Sequence, residues 1–137
     1  MKILVREFKF TIRIGRERRR ADRVSLHDPL YLDYRRPLDP THGTGEVKNI
    51  STAGILFAAT SIIPVGSFLE LTLHLYPAFA TAAPLLLQGW VVRCFQTSTK
   101  QHYRIACAFD PLEPHVAERL RSFIYWLKEL NRESFYR

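Results

Sequence analysis

A chain of 137 residues, 47% of them hydrophobic, is the right size for one globular domain with its own core. Its 20 Lys and Arg against 13 Asp and Glu give a formal net charge of +7, which favours anionic partners. The two cysteines, Cys94 and Cys107, exclude a disulfide framework and a cysteine-rich metal site, and are predicted to be buried thiols in a reducing compartment.

The first fifteen residues form an extension before the predicted domain. Apolar and polar residues alternate over residues 8–14, which is the pattern of a strand, and Gly15 ends it. The segment 1–15 is therefore predicted to be an added strand or an unstructured leader that finds a partner. Charged residues such as Arg6 and Lys9 interrupt its apolar character, so a secretory signal is not expected and the cytoplasm is the expected location.

An arginine-rich stretch follows at residues 16–23, where five of eight residues are Arg. Arg presents a planar fork of donors that binds phosphate through two hydrogen bonds and also stacks on purines. The stretch therefore predicts an anion site for a nucleotide or a nucleic acid, with a solvated basic linker as the alternative. Because like charges crowd these residues, we expect them to be mobile until an anion binds and orders them.

Six short segments beyond residue 29 have the alternation or the apolar runs that are typical of strands. They are residues 30–34, 46–51, 55–60, 69–75, 85–95 and 103–109. Residues 37–45 are rich in Pro, Asp, Thr and Gly and are predicted to be a loop. Short strands joined by turns favour a closed barrel, because closure leaves no exposed edge. The predicted fold class is therefore mainly all-β, with a barrel over residues 24–110.

The C-terminal part of the chain is predicted to be an amphipathic helix over residues 114–131, because Pro114 suits a first helical turn. An apolar stripe recurs at three- and four-residue steps through Val116, Leu120, Phe123, Leu127 and Leu130. Ile124 and Trp126 fall beside this stripe and widen it. We therefore expect the helix to offer a surface to a partner or to a second copy, which would give a homodimer.

Two windows without Asp, Glu, Lys or Arg, residues 49–69 and 71–92, are long enough to suggest membrane spans. Pro64 breaks the first window, and Pro77 and Pro84 break the second. Both windows are therefore predicted to be buried strands, and no membrane span is expected.

A second motif lies at residues 49–54, with the sequence Asn-Ile-Ser-Thr-Ala-Gly. It matches an Asp/Asn-x-Ser-x-x-Gly pattern, and Arg19 and Arg23 form an Arg-x-x-x-Arg pattern some 25 residues earlier. The pair of motifs, in this order and inside a run of predicted strands, resembles the PilZ domain. PilZ domains are bacterial receptors for the second messenger cyclic di-GMP. The resemblance extends over residues 16–130, most of the chain.

The resemblance implies a fold and a set of ligand-binding residues. The fold would be a six-stranded antiparallel PilZ-type β-barrel with a C-terminal α-helix, the whole domain spanning residues 16–137. Arg19 and Arg23 would wrap cyclic di-GMP through phosphate and guanine contacts. Asn49, Ser51 and Gly54 would line a guanine pocket on the surface of the barrel.

The chemistry of these residues suits that ligand. A guanidinium can donate to the O6 and N7 acceptors of guanine, and an Asn carbonyl can accept from the opposite edge of the base. Gly54 would either take a positive φ in the turn or let a ring approach the backbone. The alternative is that residues 49–54 simply end a hairpin, where Asn, Ser and Gly are favoured in any protein.

Arg18 bears on the number of ligands. In the family that this chain resembles, an Arg immediately before the Arg-x-x-x-Arg motif is associated with a stacked pair of cyclic di-GMP molecules. The resemblance therefore implies two ligands per chain, with no cofactor. The alternative is that Arg18 points to solvent and that the site holds one molecule.

Nothing in the sequence predicts catalysis. The five His residues are scattered without metal-ligand spacing, and Ser51 has no evident base. The expected function is a non-enzymatic receptor that signals to a downstream protein, whose identity the sequence does not give. The alternatives are a PilZ-like adaptor without ligand binding and a small β-barrel that binds nucleic acid through its basic arm. A nucleic-acid partner is not expected, because few aromatic residues accompany the arginines.

Overall fold

The computed structural model describes residues 28–39, 41–79, 83–98 and 101–136. These residues form six strands and one helix: β1 (Tyr31–Arg35), β2 (His42–Ile50), β3 (Gly54–Ala59), β4 (Phe68–His74), β5 (Leu85–Gln96), β6 (Tyr103–Phe109) and α1 (Pro114–Tyr136). The strands pair antiparallel in a closed barrel with the order β1-β2-β3-β6-β5-β4. The predicted fold, a six-stranded antiparallel barrel followed by a helix, is confirmed.

Alternation of side chains along the strands builds the core of the barrel. On β4, Leu69, Leu71 and Leu73 point inward and are buried, whereas Glu70 and Thr72 between them are half-buried on the outer side. The same period of two residues buries Leu32 and Tyr34 on β1. Pairing of β1 with β4 closes the ring, so each of the six strands has two hydrogen-bonded neighbours.

Helix α1 joins the same hydrophobic core through one face. Leu120, Phe123, Ile124 and Leu127 are buried in it. Phe79, in the segment after β4, packs edge-on against Phe123 with a centroid separation of 5.1 Å. The predicted stripe is confirmed over this part of the helix, which runs five residues beyond its predicted end, to Tyr136.

The two residues expected to widen the apolar stripe of α1 both make contacts within the chain. Ile124 is 6% exposed because it belongs to the core of the chain itself. Trp126 packs against Tyr76 and Phe79, with ring centroids 6.1 and 5.4 Å apart. Both residues are therefore used within the chain, and the homodimer stays a prediction without their support.

Strand β2 begins at His42, so the prediction of a loop over 37–45 is wrong at its C-terminal end. The reason is that two glycines in this segment pack against aromatic rings of neighbouring strands. A Cβ at Gly45 would lie 2.5 Å from the ring of Phe57, and one at Gly43 would lie 2.5 Å from the hydroxyl oxygen of Tyr34. These glycines make room for two aromatic rings inside the barrel, although in the sequence they look like loop residues.

The two thiols differ in environment. Cys107 is 2% exposed, and burial raises the pKa of its thiol to about 12. Cys94 is only half-buried, so the prediction that both thiols are buried holds for Cys107 alone. Both cysteines are free.

Candidate functional site

The turn between β2 and β3 is held by Ser51. Its Oγ accepts hydrogen bonds from the backbone N–H groups of Ala53 and Gly54, at 3.1 and 3.2 Å. The N–H of Ser51 donates to the carbonyl of Gly54 at 3.0 Å and closes the turn. The hydroxyl of Ser51 is therefore already engaged with the backbone, which makes this residue an organiser of the turn.

Position 54 must be a glycine because strand β6 lies too close to its backbone for a side chain. Gly66 is the only glycine with a positive φ in the described residues, so of the two expected reasons for Gly54 the positive φ is excluded. Gly54 pairs with Ala108 on β6, and a Cβ on Gly54 would lie 2.6 Å from the carbonyl oxygen of Cys107. The absent side chain lets β3 and β6 approach closely, and the carbonyl of Ala53 accepts a bond from Phe109 N at 2.9 Å beside it.

A β-bulge aims Asn49 outward. Val47 pairs with Phe57 and Asn49 pairs with the next residue, Leu56, so Lys48 is an extra residue on β2. In a regular strand Val47 and Asn49 would face the same side, because they are two residues apart. The bulge breaks this rule: Val47 is 2% exposed inside the barrel, whereas Asn49 is half-buried on its outer side.

The surface beside Asn49 is lined by apolar side chains, one Leu and two Ala. Leu56 and Ala58 on β3 and Ala106 on β6 lie on the outer side of the barrel, half-buried. Their inward neighbours Phe57 and Ile105 are fully buried. We call Leu56, Ala58 and Ala106 the floor. The sequence alone does not reveal the floor, because its residues come together only through the register of the paired strands.

The described chain begins next to this surface. The N–H of Val47 donates to the carbonyl of Leu30 at 2.7 Å, so the start of β1 lies against the bulge on β2. Arg18, Arg19 and Arg23, the other predicted site residues, lie outside the described residues. The structure therefore brings together Asn49, Ser51 and Gly54 at one hairpin, of which Asn49 has an outward side chain free of the turn's hydrogen bonds.

A separate groove of about 1140 Å³ lies on the other side of the barrel. It is lined by parts of β1, β4 and β5, by the start of β2 and by the start of α1, and it includes none of Asn49, Ser51 and Gly54. On its rim, Asp33 Oδ2 lies 2.8 Å from His74 Nε2 and Asp33 Oδ1 accepts a bond from Thr44. The hydrogen bond to His74 and then that from Thr44 lower the pKa of Asp33.

A metal site or a membrane-spanning helix would require particular residues in the described part of the chain. No group of three or more His, Cys, Asp and Glu residues there is placed to hold a metal ion. Among the same residues, no helix has both the length and the hydropathy that crossing a membrane requires. The features that stand out are thus the bulge, the turn and the floor.

A sequence model of the PilZ domain matches residues 17–126. The chain belongs to the PilZ domain family. The match includes both motifs and all six strands of the barrel. No curated protein matches this PilZ chain at a significant level.

Three solved structures illustrate the likeness of this chain to known folds. The PilZ domain of YcgR from Escherichia coli with c-di-GMP matches with a TM-score of 0.62 and 16% identity, over 84% of this chain and 95% of that one. The Bacillus subtilis inhibitor of motility MotI/DgrA matches with a TM-score of 0.63 and 17% identity, over 80% and 51%. Apo MrkH of K. pneumonia matches with a TM-score of 0.69 and 14% identity, over 82% and 52%. This PilZ chain thus spans about half the length of MotI/DgrA and MrkH, and at these identities the likeness concerns the fold.

Proposed function

We propose that this PilZ domain is a receptor for cyclic di-GMP, which binds on the outer side of the barrel beside Asn49. The observation that carries the proposal is the bulge on β2. It turns a side chain with an amide donor and acceptor out of the core, next to an apolar floor and next to the start of the described chain. The solved YcgR PilZ domain, which has this fold, contains c-di-GMP.

The arginine motif is within reach of this surface. Arg23 is five residues before Asp28 and Arg19 is nine residues before it. An extended chain spans roughly 3.3–3.6 Å per residue, so Arg23 can reach points up to about 17 Å from Asp28. Asn49 is two residues beyond Val47, which is hydrogen-bonded to Leu30. Arg19 and Arg23 can therefore close over a ligand that lies against Asn49.

Each residue type has a distinct role in the proposal. Arg19 and Arg23 bind phosphate oxygens and the O6 and N7 edge of guanine. The side-chain carbonyl of Asn49 accepts from the Watson–Crick edge of a guanine. Ser51 and Gly54 act by shaping the turn, since their bonds and contacts lie within it.

Ligand binding orders the arginine stretch in this proposal, because the phosphates offset the repulsion among five guanidinium groups. The ordered stretch then presents a new surface to a downstream protein. Arg18 adds a guanidinium for a second, stacked cyclic di-GMP. The free state of both cysteines agrees with work in a reducing compartment, the cytoplasm.

Calorimetric titration of the purified chain with cyclic di-GMP tests the proposal, with GTP and single-stranded DNA as controls. We expect saturable binding of cyclic di-GMP that is lost or weakened by about ten- to a hundredfold in Arg19→Ala and Arg23→Ala. Saturable binding of DNA without binding of cyclic di-GMP would favour the nucleic-acid alternative. If none of the three binds, the result would favour the other alternative, a PilZ-like adaptor that works without a ligand.

A further inference from the structure

A second β-bulge on the same side of the barrel turns an arginine outward. The register of β5 against β6 shifts between Val91 and Arg93, so that Val91 pairs with Cys107 and Arg93 pairs with the next residue, Ala106. Val91 is 1% exposed inside the barrel, whereas Arg93 is exposed. A regular strand would point both residues inward, so this bulge does for Arg93 what the first one does for Asn49.

The two bulged strands lie on either side of the floor. Asn49 pairs with Leu56, Leu56 pairs with Ala106, and Ala106 pairs with Arg93, which gives one continuous row across four strands. With strands about 4.8 Å apart, the ends of this row are roughly 14 Å apart along the barrel wall. The long side chain of Arg93 can lean back over the floor toward Asn49.

A second arginine lies in the adjacent row. Arg104 on β6 pairs with Ala58 on one side and with Phe95 on the other, and it is half-buried on the outer side. Arg93 and Arg104 therefore border the same floor from two neighbouring strands. Both side chains next to them on β3 and β6, Ala58 and Ala106, are too small to block an approaching ring.

The charges of both arginines are available to an anion. Among the described residues, neither Arg93 nor Arg104 forms an ion pair, whereas Arg35, Arg36 and Arg121 each pair with a carboxylate. The guanidinium of Arg93 lies over the ring of Phe95, 4.6 Å from its centroid. This cation–π contact holds the guanidinium beside Phe95, and a planar guanidinium can also stack on a second ring.

We propose that Arg93 and Arg104 form the far half of the nucleotide site, across the floor from Asn49. Arg93, supported by Phe95, stacks on a purine of the ligand, and Arg104 donates to a phosphate oxygen. The inference rests on the proposed function and extends it to two strands that neither sequence motif includes. It makes the floor the base of the site, with polar groups on both sides.

Calorimetry with cyclic di-GMP tests the inference on Arg93→Gln, Arg93→Lys and Arg104→Gln. We expect each Gln variant to weaken binding about tenfold or more. Arg93→Lys keeps the charge but loses the planar group, so it should weaken binding nearly as much as Arg93→Gln. Arg104→Gln should also reduce the salt dependence of the affinity.

The matched control is Arg35→Gln, which removes the same charge from the opposite wall of the barrel, where β1 pairs with β4. We expect its affinity to stay within twofold of the wild type. Equal weakening in the control would mean that net charge alone is responsible and would overturn the inference. Wild-type affinity in both Gln variants would overturn it while leaving the proposed function intact.

Two remaining outcomes are also decisive. A wild-type chain that does not bind cyclic di-GMP overturns the proposed function and this inference together. Arg93 and Arg104 face outward, so thermal melts of their variants should match the wild type. If Arg93→Gln has a lower Tm than the wild type, Arg93→Lys replaces it in the binding comparison. Wild-type affinity for cyclic di-GMP in Arg93→Lys would then overturn the stacking role of Arg93.

Discussion

Substitution of Ser51 by Ala tests whether this residue stabilises the turn between β2 and β3 or contacts the ligand directly. The hydroxyl oxygen of Ser51 accepts from the N–H groups of Ala53 and Gly54, and Ala cannot replace either bond. The turn is half-buried, so water can restore part of the loss. At about 0.5–1 kcal/mol for each bond, the lower part of the usual range, Ser51→Ala should lower the free energy of unfolding by about 1–2 kcal/mol.

Thermal unfolding followed by circular dichroism measures this effect. For a chain of this size, 1 kcal/mol corresponds to roughly 3–4 °C in Tm, so we expect a decrease of about 3–8 °C. Thr52→Ala is the matched control, because Thr52 is exposed in the same turn. Asn49→Ala should likewise leave Tm nearly unchanged, since its side chain points away from the core.

For the affinity for cyclic di-GMP we expect the reverse order, with a direct effect of Asn49→Ala and only an indirect effect of Ser51→Ala. Asn49→Ala removes a proposed ligand contact and should weaken cyclic di-GMP binding about two- to tenfold, as expected for one neutral hydrogen bond. Ser51→Ala should weaken binding only through disorder of the turn. A Tm of Ser51→Ala within 1 °C of the wild type would refute the assignment of Ser51 as the organiser of this turn.

Gly54→Ala should lower the free energy of unfolding by about 1–3 kcal/mol in a denaturant titration, because its Cβ would meet the Cys107 carbonyl oxygen, and a stable variant would contradict the close approach of β3 and β6. At pH 8 a thiol-specific reagent should modify half-buried Cys94 well before Cys107, whose pKa of about 12 keeps it protonated, and rapid modification of two thiols in the native chain would contradict this. Arg18→Leu should lower the calorimetric stoichiometry from two cyclic di-GMP molecules toward one, and a wild-type endpoint of one that the substitution leaves unchanged would contradict the stacked pair.

The strands that alternate regularly could be predicted from the sequence. Leu69, Leu71 and Leu73 show the period of two residues without interruption, and β4 is where the pattern indicates it. The start of strand β2 is harder to predict, because Gly43 and Gly45 resemble loop residues unless the rings of Tyr34 and Phe57 beside them are known. Local composition cannot show that a glycine leaves room for an aromatic ring from another strand.

The candidate site was predictable only in part for a similar reason. The motif identified Asn49, Ser51 and Gly54, but not that Ser51 and Gly54 act on the backbone while Asn49 faces outward. Both bulges depend on pairing between strands distant in sequence, so neither the outward direction of Asn49 nor that of Arg93 can be read from periodicity. Arg18, Arg19 and Arg23 stay predictions, since they lie outside the described residues.

An NMR titration of backbone amides can show whether cyclic di-GMP binds on the outer wall across β2, β3, β6 and β5. Binding there should shift the amide signals of Asn49, Leu56 and Ala106 in a saturable way. The amides of Leu71 and Thr72 on β4, across the barrel, should stay in place. Saturable shifts confined to β1, β4 and the groove beside α1, with the signals of Asn49 and Ala106 unchanged, would contradict binding on this wall.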